Sequence, residues 1–156
     1  MEIAEIEPGG DELLARTLLS LQRAAYAVEA SIIGDDRIPP LHETLDGLRA
    51  TPLRWLGAFD DGRRLVGAIA WSEDHAEVDI DRLVVDPASH RQGVGRALVR
   101  EVLALAGHRR TIVATGRANL PARALYESFG FVPAGESEVI PRLWIARYVR
   151  HPSPIE

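Results

Sequence analysis

Gly93 and Gly95 stand between Arg91 and Arg96, directly behind a strand-like run that ends at Asp86-Pro87. The first N–H groups of a helix have no partner inside it, and the helix dipole makes that end positive. Glycines let the backbone of such a loop approach an anion closely. The stretch therefore has the makings of a phosphate or pyrophosphate cradle, with the two arginines placed to add charge-assisted contacts. Just upstream, Glu77, Asp79 and Asp81 alternate with Val78 and Ile80, which puts three carboxylates on one face of a strand. Like charges held close raise the pKa of one of them, which suits a group that must accept a proton. Both sets have plainer readings. The glycines can serve only a tight turn, and the carboxylates can be a solvated strand edge, with Asp81 paired to Arg82 or Arg123.

Other phosphate-binding patterns fit less well. A dinucleotide loop lacks its third glycine, since Leu98 fills that place. A Walker A loop needs Gly-Lys-Ser/Thr, and the chain contains no lysine. The histidines, at 42, 75, 90, 108 and 151, form no set at metal spacing, so no metal is expected. No Gly-x-Ser-x-Gly elbow points to a serine hydrolase, and the absence of cysteine removes a thiol nucleophile.

The elements that must position these residues follow from hydrophobic period and punctuation. Met1–Ile6 reads as an edge strand. Asp11 caps a helix with Leu14, Leu18, Leu21, Ala25 and Val28 on one face, running to about Ala30 before Gly34. Pro39-Pro40 leads into a short helix striped by Leu41, Leu45 and Leu48. Trp55–Phe59 and Leu65–Trp71 form a hairpin about Asp60-Asp61-Gly62. Val78 to Val85 is the strand before the glycine loop, and Val94, Ala97, Leu98, Val102 and Leu105 form the stripe of the helix after it, closed by Gly107. Thr111–Ala114 is a strand, Leu120–Phe129 a helix capped by Asn119 and ended by Gly130. Phe131–Ala134 and Leu143–Val149 are two last strands, joined by an acidic connection containing proline. The order is β-α-α-β-β-β-α-β-α-β-β, an α/β (α+β) arrangement with a mixed sheet. One domain over residues 1–150 and a flexible tail over 151–156 are expected. Trp55, Trp71 and Trp144 read as core.

Composition bounds the function. Hydrophobic residues make up 46% and charged residues 26%, the balance of an ordinary globular chain. The net charge of −5 is uneven: residues 1–78 carry net −8 and residues 79–156 net +3. An anionic cofactor would meet arginines in the second half, and a cationic acceptor would meet carboxylates in the first. An acidic chain is poor material for nucleic-acid binding. The N-terminus has no apolar signal segment, no run spans a membrane, and the lack of cysteine is compatible with a cytoplasmic setting.

The pattern V-x-P-x-x-x-R-x-G-x-G-x-x-L on strand, loop and helix resembles the coenzyme A pyrophosphate loop of the GNAT superfamily of N-acetyltransferases. The family's usual form is Q/R-x-x-G-x-G/A, and here His90 occupies the first position with Arg91 next to it. The grip comes from backbone N–H groups and needs no particular side chain there. A second stretch, Asn119-Leu-Pro-Ala-Arg-Ala-Leu-Tyr126-Glu-Ser-Phe-Gly130-Phe131, is similar to the GNAT pattern N-x-x-A-x-x-L-Y-E-x-x-G-F. On the residues alone, Asn119 is a cap and Tyr126 lies on the helix's packed face.

The resemblance implies a GNAT-like fold and acetyl-CoA as cofactor, held by the backbone of Leu83, Val84 and Val85 and by the loop Arg91, Gln92, Gly93, Val94, Gly95 and Arg96. It implies that Asn119 also contacts the cofactor and that Tyr126 protonates the departing thiolate. Asp79 aligns with the strand glutamate that many relatives use as base, with Asp81 as the second candidate. The acceptor pocket of relatives corresponds here to Glu29, Asp35, Asp36, Glu43, Glu136 and Glu138, which suits a cationic amine such as a polyamine, an aminoglycoside or a peptide N-terminus. The function so implied is acetyl transfer to a primary amine of a small molecule. An acetyltransferase of protein N-termini or lysine side chains and a silent acyl-CoA-binding domain are the alternatives. A homodimer is compatible with the resemblance.

Overall fold

The computed structural model describes residues 1–152, so positions 153–156 of the expected tail lie outside the described residues. The elements are β1 (Glu2–Ile6), α1 (Glu12–Ile33), α2 (Leu45–Ala50), β2 (Arg54–Phe59), β3 (Leu65–Glu73), β4 (Glu77–Val85), α3 (Val94–Ala106), β5 (Arg110–Gly116), α4 (Leu120–Ser128), β6 (Val132–Ile140) and β7 (Leu143–Arg150). The order is the one read from the sequence. The strands form one mixed sheet, β1-β2-β3-β4-β5-β7-β6, in which only β4 and β5 run parallel.

Each face of the sheet is buried under helices. Leu98, Val99 and Val102 of α3 pack with Ile69, Trp71, Val78 and Ile80 on one side. Leu18 and Leu21 of α1 and Leu48 of α2 pack with Trp55, Ala68 and Val84 on the other. Leu105, expected in the α3 stripe, is 45% exposed; Leu103 and Ala106 fill the buried face instead. The Asp11 carboxylate accepts from the Leu14 N–H at 3.1 Å and starts α1 as expected. The helix continues to Ile33, because Gly34, at φ 70°, is the first residue that leaves it without a steric cost.

Three expectations need correcting. The helix read across residues 39–48 is two pieces, a 3-10 turn over Pro39–His42 and then α2, because the Thr44 hydroxyl caps a new start by accepting from the Gly47 N–H at 3.0 Å. The acidic connection before β7 is mostly strand: β6 extends to Ile140 and turns at Pro141-Arg142. It lacks a hydrophobic alternation because it is the sheet's outer strand and almost wholly exposed. Trp144 is only half-buried, lying under the Arg117 guanidinium at 4.6 Å, whereas Trp55 and Trp71 are core.

The feature that shapes the site is a bulge in β4. Ala70 of β3 opposes Arg82 and Trp71 opposes Ile80, leaving Asp81 without a partner on β3. The extra residue reverses the alternation, so Val78 and Ile80 face α3 while Arg82, two residues on, is buried toward α1. The Arg82 guanidinium donates to Gln22 Oε1 of α1 at 3.0 Å, to Glu43 Oε1 at 2.8 Å and to Asp81 Oδ2 at 2.6 Å. Gln22 also donates to Glu43 at 3.0 Å and to the Pro40 carbonyl at 2.9 Å. This network ties the bulged strand to α1 and to the segment before α2.

Candidate active site

β4 pairs with β5 only over Glu77–Ile80 and Arg110–Val113. Beyond Ile80 the two strands part, and β5 goes on paired with β7 as far as Gly116. From Asp81 onward the edge of β4 facing β5 thus has no strand against it. Two cavities occupy this opening. The larger, about 700 Å³, runs from Leu83 and Val85 to the loop at Arg91, Gly93 and Gly95, with α1 forming its far wall. The smaller, about 250 Å³, lies between the parted strands and is lined by Asp81, Val113, Tyr126, Val139 and Ile145 among others. Tyr26, Glu29, Leu83, Asn119 and Ala122 line both, so the two meet there.

The loop before α3 has the backbone form of an anion cradle. Asp86 ends β4 and stabilises the turn, accepting from the Ala88 N–H at 2.9 Å while pairing with Arg64 at 2.6 Å. Arg91 at φ 67° and Gly93 at φ 77° are both left-handed, and they swing the chain into the helix. For a residue with a Cβ this conformation costs about 1–2 kcal/mol, which Arg91 sustains at the mouth of the larger cavity. No side chain caps α3, and its first bond of this turn runs from the Ala97 N–H to the Gly93 carbonyl. The N–H groups ahead of Ala97 are left for a ligand. A Cβ built on Gly95 would meet nothing nearer than 3.6 Å, so the loop keeps open room at that point. Arg96 is turned away, donating to the Ser128 hydroxyl at 2.9 Å and stacking on Phe129 at 4.9 Å. Arg91 is exposed and has no ion-pair partner among the described residues. These residues fit a phosphate-bearing cofactor: unpaired donors, a positive helix end and one free guanidinium.

At the junction, the Asn119 side chain does two things. Its Oδ1 accepts from the Ala122 N–H at 3.2 Å and caps α4, and its Nδ2 donates to Glu29 Oε1 at 3.2 Å. Tyr126, two turns into the region that Asn119 starts, is 4% exposed and packs edge-on against Phe131 at 5.4 Å. Its hydroxyl makes no hydrogen bond among the described residues, and the residue lines the smaller cavity. Burial, with the neighbouring Glu29 charge, pushes its pKa up, so the phenol holds its proton firmly. Tyr26 on α1 is raised for the same reasons. Burial also raises the Glu29 carboxyl, against the pull of hydrogen bonds from Asn119, Gly116 and Thr115.

Of the residues singled out from the sequence, Leu83, Val85, Arg91, Gly93, Val94, Gly95, Arg96 and Asn119 border the larger cavity, and Asp81 and Tyr126 the smaller. Gln92 is exposed beside the loop and lines neither. Val84 turns its side chain into the core under α1. Asp79 sits opposite Ser72 and Ile112, clear of both cavities; burial and the charges of Asp81 and Glu77 raise its pKa. Asp81 borders the cleft but is tied to Arg82. Tyr26 was not singled out from the sequence, and Glu29 only as one acid of an acceptor pocket; both lie where the two cavities meet. A Tyr and a Glu at i and i+3 on α1 were the available signal, since that spacing puts both on one helix face. Among the described residues no group of three or more His, Cys, Asp or Glu is placed to hold a metal ion, and no helix is long and apolar enough to cross a membrane.

A sequence profile of the acetyltransferase (GNAT) family matches residues 16–131. Among curated proteins, UPF0157 protein YqkA of Bacillus subtilis is 38% identical over 122 residues, covering 78% of this chain and 35% of YqkA. Human N-acetyltransferase 8 is 47% identical over 58 residues, 35% of this chain and 26% of that protein. The chain thus spans about a third or less of these two relatives. N-alpha-acetyltransferase RimI of Mycobacterium tuberculosis is 32% identical over 125 residues, 78% of each chain. Among solved structures, the ribosomal-protein alanine N-acetyltransferase from Escherichia coli superposes with TM-score 0.75 at 17% identity, covering 99% of this chain and 96% of that one. An aminoglycoside 6'-N-acetyltransferase complexed with coenzyme A gives 0.74 at 16% identity, covering 99% and 100%. At such identities the structural likeness is one of fold.

Proposed function

The chain belongs to the GNAT family of acetyltransferases, and from that membership we propose that it is an acetyl-CoA-dependent N-acetyltransferase acting on a primary amine of a small molecule. The observation that carries this reading is the meeting of two cavities, one ending on the uncapped start of α3 and the other between the parted strands. Acetyl-CoA, when bound, supplies an acyl group activated as a thioester. The loop from Arg91 to Arg96 binds the linked phosphates through backbone N–H groups, with Arg91 adding charge. The free edge of β4 at Leu83, Val84 and Val85 offers backbone dipoles that polarise a carbonyl placed against it. Tyr126 lines the other cavity with a phenol that is fully protonated at neutral pH, so it holds a proton available to a departing thiolate; this position, not the raised pKa, supports the acid role.

The acceptor is assigned to the smaller cavity. Its walls are mainly apolar, with Glu29 and Asp81 as the negative groups, and a volume of about 250 Å³ suits an amine with a compact apolar body. Of the other acids expected around an acceptor, Asp35 pairs with Arg37, and Glu136 lies within ion-pair distance of Arg117 and Arg123. A second reading, a peptide N-terminus as acceptor, is supported by the RimI relative, which is named an N-alpha-acetyltransferase. A cytoplasmic setting agrees with a chain that has no cysteine.

Thiol release from acetyl-CoA with a panel of amines tests this. Turnover on compact aryl- or alkylamines is the expected result. Activity confined to peptides transfers the assignment to N-termini, and acetyl-CoA uptake without turnover on any amine supports a silent binding domain.

A further inference from the structure

We propose that Glu29 on α1, positioned by Asn119, is the residue that takes the proton from the acceptor's ammonium group. The inference rests on the acetyltransferase reading above and assigns a role that reading leaves open. Glu29 lines both cavities at the place where they meet, and Tyr126 borders the same space from α4. An acceptor nitrogen entering from the smaller cavity toward the larger one has to pass this carboxylate.

The carboxylates on β4 are worse placed. Glu77 is paired with Arg110, and Asp79 lines neither cavity. Asp81 Oδ2 is held by Arg82 at 2.6 Å, so protonating it would break a charge-assisted bond in the network that anchors the bulge. Glu29 has no cationic partner. Its hydrogen bonds come from neutral groups, the Asn119 amide at 3.2 Å together with Thr115 and the Gly116 backbone. Gly116 lets β5 come close: a Cβ there would meet Ile33 Cγ2 at 3.1 Å and Glu29 Oε1 at 3.7 Å. A half-buried carboxylate with neutral donors only can take up a proton without losing an ion pair, and burial favours the protonated form. The ionisable groups on the elements around it are Tyr26 of α1, Tyr126 of α4, Asp81 and Arg82 of β4, Arg37 beyond α1, and His90, Arg91 and Arg96 across the larger cavity.

The step balances simply. The ammonium gives one N–H proton to the Glu29 carboxylate, leaving a neutral amine with a free lone pair and a neutral carboxyl. The proton then leaves to solvent through the open cavity.

The test uses Glu29→Gln, which keeps size and polarity but cannot accept a proton from an ammonium. Acetyl-CoA binding by calorimetry checks that the fold and cofactor site survive. Thiol release is followed from pH 5.5 to 9 with phenethylamine, spermidine and an alanine-initial tripeptide. The carboxyl carbon of Glu29 is titrated by carbon-13 NMR, with the variant providing the assignment. The expected result is cofactor affinity within about threefold of the parent and turnover near neutral pH lowered about a hundredfold or more. The remaining rate should climb with pH as the free amine fraction grows. The Glu29 carboxyl should titrate above the ordinary 4.5, and higher again in Asn119→Ala. An unchanged rate and pH profile in Glu29→Gln overturns the proposal, and so does an ordinary Glu29 titration, even if none of the three amines turns over. Failure of the parent protein to take up acetyl-CoA is a distinct result, and it overturns the acetyltransferase reading itself.

Discussion

Asn119 Nδ2 donates to Glu29 Oε1 at 3.2 Å, a bond from the cap of α4 to a residue about one turn before the end of α1, across the opening between β4 and β5. The same amide's oxygen caps α4. One side chain thus sets where α4 begins and holds a carboxylate that lacks a cationic partner.

Asn119→Asp separates these duties. An aspartate still caps the helix through an oxygen, so the cap survives. At neutral pH the lost donor and the repulsion should cost about 1 kcal/mol or more in urea unfolding, a loss that shrinks as the pH falls and Glu29 takes up its proton. The replacement sets a second negative charge against Glu29 in place of a donor, which raises the Glu29 pKa further. The acidic limb of the rate profile should move to higher pH. Asn119→Ala should instead lose about 1 kcal/mol with the cap.

Arg82 is the fastening of the bulge. Its side chain is 7% exposed and reaches Gln22, Glu43 and Asp81 at once. Arg82→Ala leaves the Glu43 carboxylate without its cation and Gln22 Oε1 without its donor, which should cost about 3 kcal/mol or more in urea unfolding. Arg16→Ala removes only the exposed pair with Glu12 and should change stability by less than about 0.5 kcal/mol.

Gly95→Asp distinguishes a ligand cradle from a mere turn. Nothing lies within 3.6 Å of a Cβ at this position, and a carboxylate in the first turn of α3 complements the helix dipole by about 0.3–1 kcal/mol. Thermal stability should therefore hold or rise. The same charge repels phosphates, so acetyl-CoA affinity measured by calorimetry should fall at least about tenfold, or 1.4 kcal/mol. An affinity that follows stability instead would place the cofactor elsewhere.

Tyr126→Phe removes a hydroxyl that has no hydrogen-bond partner among the described residues and leaves the edge-on contact with Phe131. Stability and acetyl-CoA affinity should stay close to those of the parent. The proposed proton donation predicts a maximal rate about a hundredfold lower in the thiol-release assay.

How much of this was legible beforehand follows from distance along the chain. The Asp11 cap, the Gly93–Gly95 turn and the Asn119–Tyr126 helix depend on residues a few positions apart, and their patterns stand in the sequence. The burial of Arg82 was not readable, because one unpaired residue at Asp81 reverses which side of the strand each later side chain faces. The alternation that put Glu77, Asp79 and Asp81 on one face assumed an unbroken strand. Glu29 looked like one more acid of an acceptor pocket, because its partner Asn119 is 90 positions away and reaches it only through the fold. β6 was short in the sequence reading for a different reason: an exposed outer strand needs no apolar face, so nothing in Glu136-Ser137-Glu138 announced it.

The raised pKa of Glu29 also carries a prediction about stability. The folded chain holds this proton more tightly than the unfolded chain, whose carboxyl titrates near the ordinary 4.5. Between that value and the folded pKa the native state binds more protons, so stability falls as pH rises through this window. Below about 4.5 the carboxyl is neutral in both states and the penalty vanishes. Glu29→Gln, neutral throughout, should therefore be more stable than the parent at pH 7, with the difference shrinking to nothing as pH drops below 4.5. Asp79, whose pKa is also raised, contributes equally to parent and variant and cancels in the comparison. Paired thermal melts across pH 4 to 8 measure it. Gaining stability while losing turnover would mark Glu29 as a residue kept for chemistry at the expense of the fold.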